Sequence, residues 1–197
     1  MQNMRTVLII GAGRSASSLI QYLINKSVEE DLHLIIGDLS IESARKKTND
    51  HPNTTAIALD IFDQNQRKEA IQKADIVISM LPAHLHIEVA KDCIVYKKNM
   101  VTASYISDAM QELDVLAKEN NLIFMNEIGL DPGIDHMSAM KVLDEIREKG
   151  GEIILFESFC GGLVAPESDT NLWNYKFTWN PRNVVLAGQG GAAKFIQ

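Results

Sequence analysis

The chain has 197 residues, 46% of them hydrophobic and 23% charged, with a formal net charge of −7. These proportions belong to a globular protein with a sizeable core and exclude global disorder and a fibrous repeat. The acidic balance and the lack of any basic stripe exclude a nucleic-acid backbone as the expected partner, and no apolar run reaches the roughly 18 residues of a membrane span.

Residues 6–10 are continuously apolar, which predicts a strand buried on both faces. From 13 to 26 the apolar side chains Ala16, Leu19, Ile20, Leu23 and Ile24 recur at helical spacing. A strand at 32–36, a short helix at 41–48, a strand at 54–59 and a polar helix at 64–73 follow. A strand at 75–81 is ended by Pro82, which has no N–H for a ladder. The pattern is then helical over 85–97, extended over 100–103, helical over 108–120 and extended over 122–125. Beyond 126 the character changes. GLDPGIDH reads as a loop, 136–149 as a helix closing on Gly150-Gly151, and 152–160 as a half-buried strand. Residues 161–178 are irregular, with Trp173, Tyr175, Phe177 and Trp179 at every second position, the pattern of a strand packing one face. The chain stops at KFIQ without a closing element, so a truncated sequence is expected.

Alternation of this kind predicts an α/β protein with a parallel sheet and right-handed crossovers. Ligands of such sheets bind outside the carboxyl ends of the strands. Those ends are 11–14, 37–39, 60–62, 81–83, 104–105 and 126–129. The N-terminus lacks the apolar region and cleavage site of a signal peptide. Cys93 and Cys160 are too few for a disulfide framework, so a reducing cytoplasm is the expected compartment.

Gly11-Ala12-Gly13-Arg14-Ser15-Ala16 is a G-x-G-x-x-A turn after a strand and before a helix. Gly11 allows the tight turn, Gly13 lets a pyrophosphate approach the main chain, and Ala16 is small enough for helix–strand packing. Asp38, about 20 residues on, is placed to accept the ribose hydroxyls of NAD and to repel the 2′-phosphate of NADP. Asp60 is either an adenine-side acceptor or a helix N-cap. His84 and His86 do not share a helix face and read as solvated helix-start residues. No residue set has metal-ligand spacing, and Cys93 reads as core.

Four further stretches carry a family resemblance: VTASYIS (101–107), NEIGLDPGIDH (126–136), FCGGLVAPESDTN (159–171) and YKFTWNPRNVVLAGQG (175–190). Together with the glycine turn they resemble the saccharopine dehydrogenase family, in its glutamate-forming branch. The resemblance implies a Rossmann-type doubly wound sheet over 1–130, followed over 131–197 by the beginning of an α/β substrate domain. It implies hydride transfer between a nicotinamide and the secondary amine of saccharopine, with an imine hydrolysed to glutamate and aminoadipate semialdehyde. Tyr105 and Asp131 match family residues at the reacting nitrogen, and Cys160 matches a residue of the pocket wall. These three form the expected catalytic set, Cys160 as a wall thiol, since this chemistry needs no nucleophile. Asp135 is expected to cap the helix starting at His136.

On the cofactor side the expected residues are Gly11, Gly13, Arg14, Ser15, Ala16, Asp38, Asp60, Leu81, Pro82, Ser104, Leu130 and Pro132. Asp38 stands where NADP-using members carry a basic residue, so NAD is the expected cofactor. Val164 replaces a family proline, and the family arginine that holds a substrate carboxylate would lie past Gln197. The expected partner is a small amino-acid substrate, in a chain compatible with a homodimer. The alternatives are a lysine 6-dehydrogenase acting on the free ε-amine and a nucleotide-binding module without turnover.

Overall fold

The apolar run at the N-terminus forms β1 (Arg5–Ile10), and its alternate side chains divide between two cores. Leu8 and Ile10 pack in one cluster and Val7 and Ile9 in the other, as the two-residue period of a strand requires. The computed structural model describes residues 4–159 and 164–176. The other strands are β2 (Leu32–Asp38), β3 (Thr54–Ala58), β4 (Ile76–Ser79), β5 (Asn99–Thr102) and β6 (Phe124–Met125). They form one sheet of order β3-β2-β1-β4-β5-β6, and every pairing is parallel. This is the doubly wound order, whose switch point lies between β1 and β4.

Helices cover both faces. α1 (Ser17–Lys26) and α2 (Ile41–Thr48) supply Ile20, Ile24 and Ala44 to the core of Val7 and Ile9. α3 (Gln64–Gln72) and α4 (His86–Val95) supply Ile71, Val89, Ala90 and Cys93 to the core of Leu8 and Ile10. Cys93 is fully buried, and that burial pushes its thiol up to about 12, so it is an inert core group. α3 and α4 are also joined by charge. Arg67 donates from Nε to Asp92 Oδ2 at 2.7 Å and from Nη1 to the Ile61 carbonyl.

Three expected elements differ. The helix at 108–120 is two pieces, α5 (Asp108–Gln111) and α6 (Asp114–Glu119), which meet at Glu112-Leu113. The last long helix, α7 (Ile134–Glu148), starts two residues early and closes as anticipated. Gly150 takes φ +76, its N–H reaches the Arg147 carbonyl, and the Gly151 N–H reaches that of Ile146, which is a Schellman closure. Residues 152–159 carry no strand. An alternating run becomes a strand only beside a partner, and the described residues provide none.

The chain divides into two compact units, Met1–Gly151 and Glu152–Gln197. In the second, Pro166–Ser168 forms one 3-10 turn, and Asn171 ties a following turn by accepting from the Trp173 N–H at 3.0 Å and donating to the Tyr175 carbonyl at 2.9 Å. Trp173 is exposed, and Phe177 and Trp179 lie outside the described residues. Among the described residues no helix is long and apolar enough to cross a membrane.

Candidate functional site

All six strands run the same way, so their carboxyl ends share one edge. Gly11 leaves β1 there at φ +105, and a Cβ on it would lie 2.8 Å from the Met80 carbonyl oxygen. Only glycine fits where the turn crosses the end of β4. Gly13 differs: its φ is −65°, and a Cβ would meet nothing within 4 Å. The main chain before it is therefore open to approach. Arg14 and Ser15 are exposed and Ala16 is buried. The 3-10 turn Arg14–Ala16 leads into α1 with no side chain capping either start, which leaves main-chain N–H groups for an anion.

Asp38 ties this turn to the end of β2. Its Oδ2 accepts from the Ala12 N–H at 2.7 Å and its Oδ1 from the Ser40 N–H at 3.0 Å. Asp60 accepts from the Phe62 N–H at 2.9 Å, while the cap of α3 is Asp63, so the N-cap alternative for Asp60 is corrected. Leu81 is half-buried and Pro82 exposed at the exit of β4.

After β5 and β6 the chain builds a second cluster. The Tyr105 hydroxyl donates to Asp131 Oδ1 at 3.0 Å. That bond comes first, ahead of burial and the nearby carboxylates of Asp131, Asp135 and Glu127, in raising the phenol above its ordinary value. The phenol therefore keeps its proton, and the carboxylate is the acceptor of the pair. Asp131 stands on a tight loop. The Gly129 N–H donates to the Pro132 carbonyl, the Ile134 N–H to that of Gly129, and Gly129 and Gly133 form a parallel bridge. A Cβ on Gly133, at φ +144, would fall 2.2 Å from the Gly129 oxygen, so this position too demands glycine. Leu130 is exposed and Pro132 buried. Asp135 does not cap α7 from outside; it lies in the first turn and accepts from the Gly133 N–H at 2.9 Å and from His136 Nδ1 at 2.8 Å. Cys160 lies outside the described residues.

His86 overturns the solvated reading; of the pair, His84 is exposed and His86 is not. Only 3% of His86 is accessible, and its ring nitrogens reach Ser79 Oγ and Ser104 Oγ, each at 2.8 Å. Helical spacing could not reveal this, because its partners come from β4 and the exit of β5. Burial, with the charge of His84 second, brings His86 down to about 4. The unfolded chain, at 6.5, then binds a proton that the fold refuses. The stability this confers is whole above 6.5 and is lost as pH falls toward 4. We expect a loss on the order of 2–3 kcal/mol between about pH 7 and about pH 4.5. Urea midpoints at the two values check it, and His86→Phe should flatten the difference. Asn126 Oδ1, just past β6, is a second feature the sequence hid: it is buried without a hydrogen-bond partner among the described residues.

Two family models match the chain: the saccharopine dehydrogenase NADP binding domain over residues 7–125 and the saccharopine dehydrogenase C-terminal domain over 129–197. A saccharopine dehydrogenase [NADP(+), L-glutamate-forming] of Pyricularia oryzae is 40% identical over 189 residues, 96% of this chain and 41% of that protein. The mitochondrial alpha-aminoadipic semialdehyde synthase of Bos taurus is 37% identical over 94% of this chain and 20% of its own length. Apo saccharopine dehydrogenase (L-Glu forming) from Saccharomyces cerevisiae superposes with a TM-score of 0.81 at 38% identity, over 93% of this chain and 40% of that one. The chain thus spans about two-fifths of the length of the glutamate-forming relative.

These matches correct the expectation of NAD. The matched domain is an NADP binding domain, and the glutamate-forming relatives are named for NADP(+). The physical reason the Asp38 argument failed is visible in the turn. Both carboxylate oxygens accept from main-chain amides, so the aspartate braces the loop, a task its spacing from the glycine turn did not reveal. With the doubly wound sheet, the glycine turn and a domain match covering most of the residues, this chain belongs to the saccharopine dehydrogenase family.

Proposed function

We propose that the chain is the nucleotide-binding part, and the beginning of the substrate part, of an NADP-dependent oxidoreductase that acts on the secondary amine of saccharopine. The observation that carries this reading is the Tyr105–Asp131 hydrogen bond of 3.0 Å on the strand-end edge that also bears the glycine turn. In this reading residues 1–130 hold the nucleotide and residues from 131 onward begin the substrate side.

The residues of the turn fit the cofactor: open room before Gly13, uncapped N–H groups at Arg14–Ala16 and exposed Arg14 and Ser15. The Ala12 and Ser40 N–H groups hold the Asp38 carboxylate against the loop. NADP, when bound, supplies the hydride acceptor. The chain's own task is proton management. Asp131 takes the proton of the reacting nitrogen, and Tyr105, whose one proton is given to Asp131, keeps that carboxylate oriented and leaves its oxygen to accept from the nitrogen or the attacking water. Leu81, Pro82, Ser104 and Leu130 border the nicotinamide.

A titration with NADPH and NADH, followed by nicotinamide fluorescence, tests the nucleotide half. Saturable binding with NADPH preferred is expected; binding of neither overturns the reading. Gly13→Val should weaken NADPH by about 10–100-fold, the loss of one or two bonds to a charged group, with little change in stability, because its backbone suits any residue. Gly11→Val should instead fail through its clash with Met80.

A further inference from the structure

His86 lies at the start of α4, on the same strand-end edge as Tyr105 and Asp131. Its ring bridges two strand exits. Nδ1 meets the hydroxyl of Ser79, the last residue of β4, and Nε2 meets that of Ser104, just past β5, both at 2.8 Å. The Thr102 hydroxyl lies 3.1 Å from Nε2. A neutral imidazole offers one donor and one acceptor, and a hydroxyl can play either part, so the bridge is satisfied without a charge.

Ser104 is the residue before Tyr105. The segment is held from the other side by Glu127, whose N–H donates to the Ser104 carbonyl at 3.0 Å and whose Oε1 accepts from the Ile106 N–H at 3.0 Å. Tyr105 is itself exposed, with little packing of its own to hold its ring. Its place relative to Asp131 depends on the anchoring of its neighbours. Of those anchors, the Ser104–His86 bond links the segment directly to the body of the sheet through α4.

We infer that His86 is a positioning residue: through Ser104 it fixes the turn that carries Tyr105, and so keeps the phenol within bonding reach of Asp131. The inference rests on the proposed role of the Tyr105–Asp131 pair for its catalytic meaning, but the positioning can be measured without turnover. The charged groups facing Tyr105 are Asp131, Asp135 and Glu127; the one acting on His86 is His84. Because the Asp131 bond is the first cause of the raised phenol, the ionisation of Tyr105 reports on that bond.

The test is a pH titration of the tyrosine ring carbons by NMR in the 13C-labelled chain, with Tyr105 assigned through Tyr105→Phe. In the wild-type chain the Tyr105 phenol should titrate above the ordinary value of about 10. Ser104→Ala and His86→Phe should return it toward that value. Ile71→Val, which thins the core away from the segment, should leave it unmoved. Should His86→Phe not fold, Ser104→Ala decides alone. A phenol unshifted in Ser104→Ala overturns the positioning role, whatever turnover does. A shifted phenol with undiminished saccharopine oxidation in the full-length protein upholds the positioning and refutes the catalytic reading of the pair.

Discussion

Asp131→Asn is expected to lower saccharopine-dependent reduction of NADP+ by about 10²–10⁴-fold, the range a positioned acid–base contributes. The substitution keeps the shape of the side chain and an oxygen that can still accept from Tyr105. It removes only the ability to take a proton. The glycine turn is untouched, so NADPH should bind the variant as it binds the parent protein. Turnover is measured on the full-length protein and nucleotide affinity by fluorescence. Turnover within a few-fold of the parent would remove Asp131 from the chemistry. Tyr105→Phe is the companion variant. It removes the donor that holds Asp131 at 3.0 Å, and it should cost less than loss of the carboxylate, because the base survives.

Asp92→Ala should destabilise the protein by about 3–5 kcal/mol, a large share of the 5–15 kcal/mol that holds a typical domain together. The side chains of Arg67 and Asp92 are only 8% and 11% exposed. Removing the carboxylate strands a guanidinium inside the layer between α3 and α4. Its remaining partners are the Ile61 carbonyl and Glu88, whose Oε2 is 4.0 Å away and whose side chain is 41% exposed. Glu88 can swing inward and offset part of the loss, which favours the lower end of the range. Urea unfolding gives the number. Arg67→Met combined with Asp92→Leu should recover most of it, since an apolar pair leaves no buried charge unpaired. A double variant as unstable as Asp92→Ala would show that packing, not the orphaned charge, sets the cost.

Much of the fold could be read locally. The apolar runs of β1 and β2, the N-cap at Ser40 and the αL residue Asn49 that closes α2 are short-range signals, and α2 spans the residues the pattern predicts. The glycine turn was equally legible, because its demands on Gly11 arise within one strand–turn–helix unit and the adjacent end of β4. What failed depended on distant partners. His86 looked like a solvated helix start, yet Ser79 and Ser104 enclose it from two strands. The alternation over 152–160 promised a strand, and residues 152–159 find no neighbour among the described residues. Asp38 stood at the right spacing for a ribose contact, and spacing says nothing of the Ala12 and Ser40 amides that its oxygens also hold. The Tyr105–Asp131 contact, between residues 26 apart, could be anticipated only through the family resemblance.

The strand order has a consequence for how the protein is made. Of the six strands β1 is the first to leave the ribosome, yet it ends in the middle of the sheet, with β2 on one side and β4 on the other. β2 follows closely, but β4 begins only at Ile76. At roughly 5–20 residues per second, several seconds of synthesis pass while one edge of an almost wholly apolar strand stands open. Such an edge is a template for association with other chains. The nascent polypeptide is therefore most vulnerable between the emergence of β2 and that of β4, and a stalled or early-terminated product ending in that interval should aggregate where the longer chain does not.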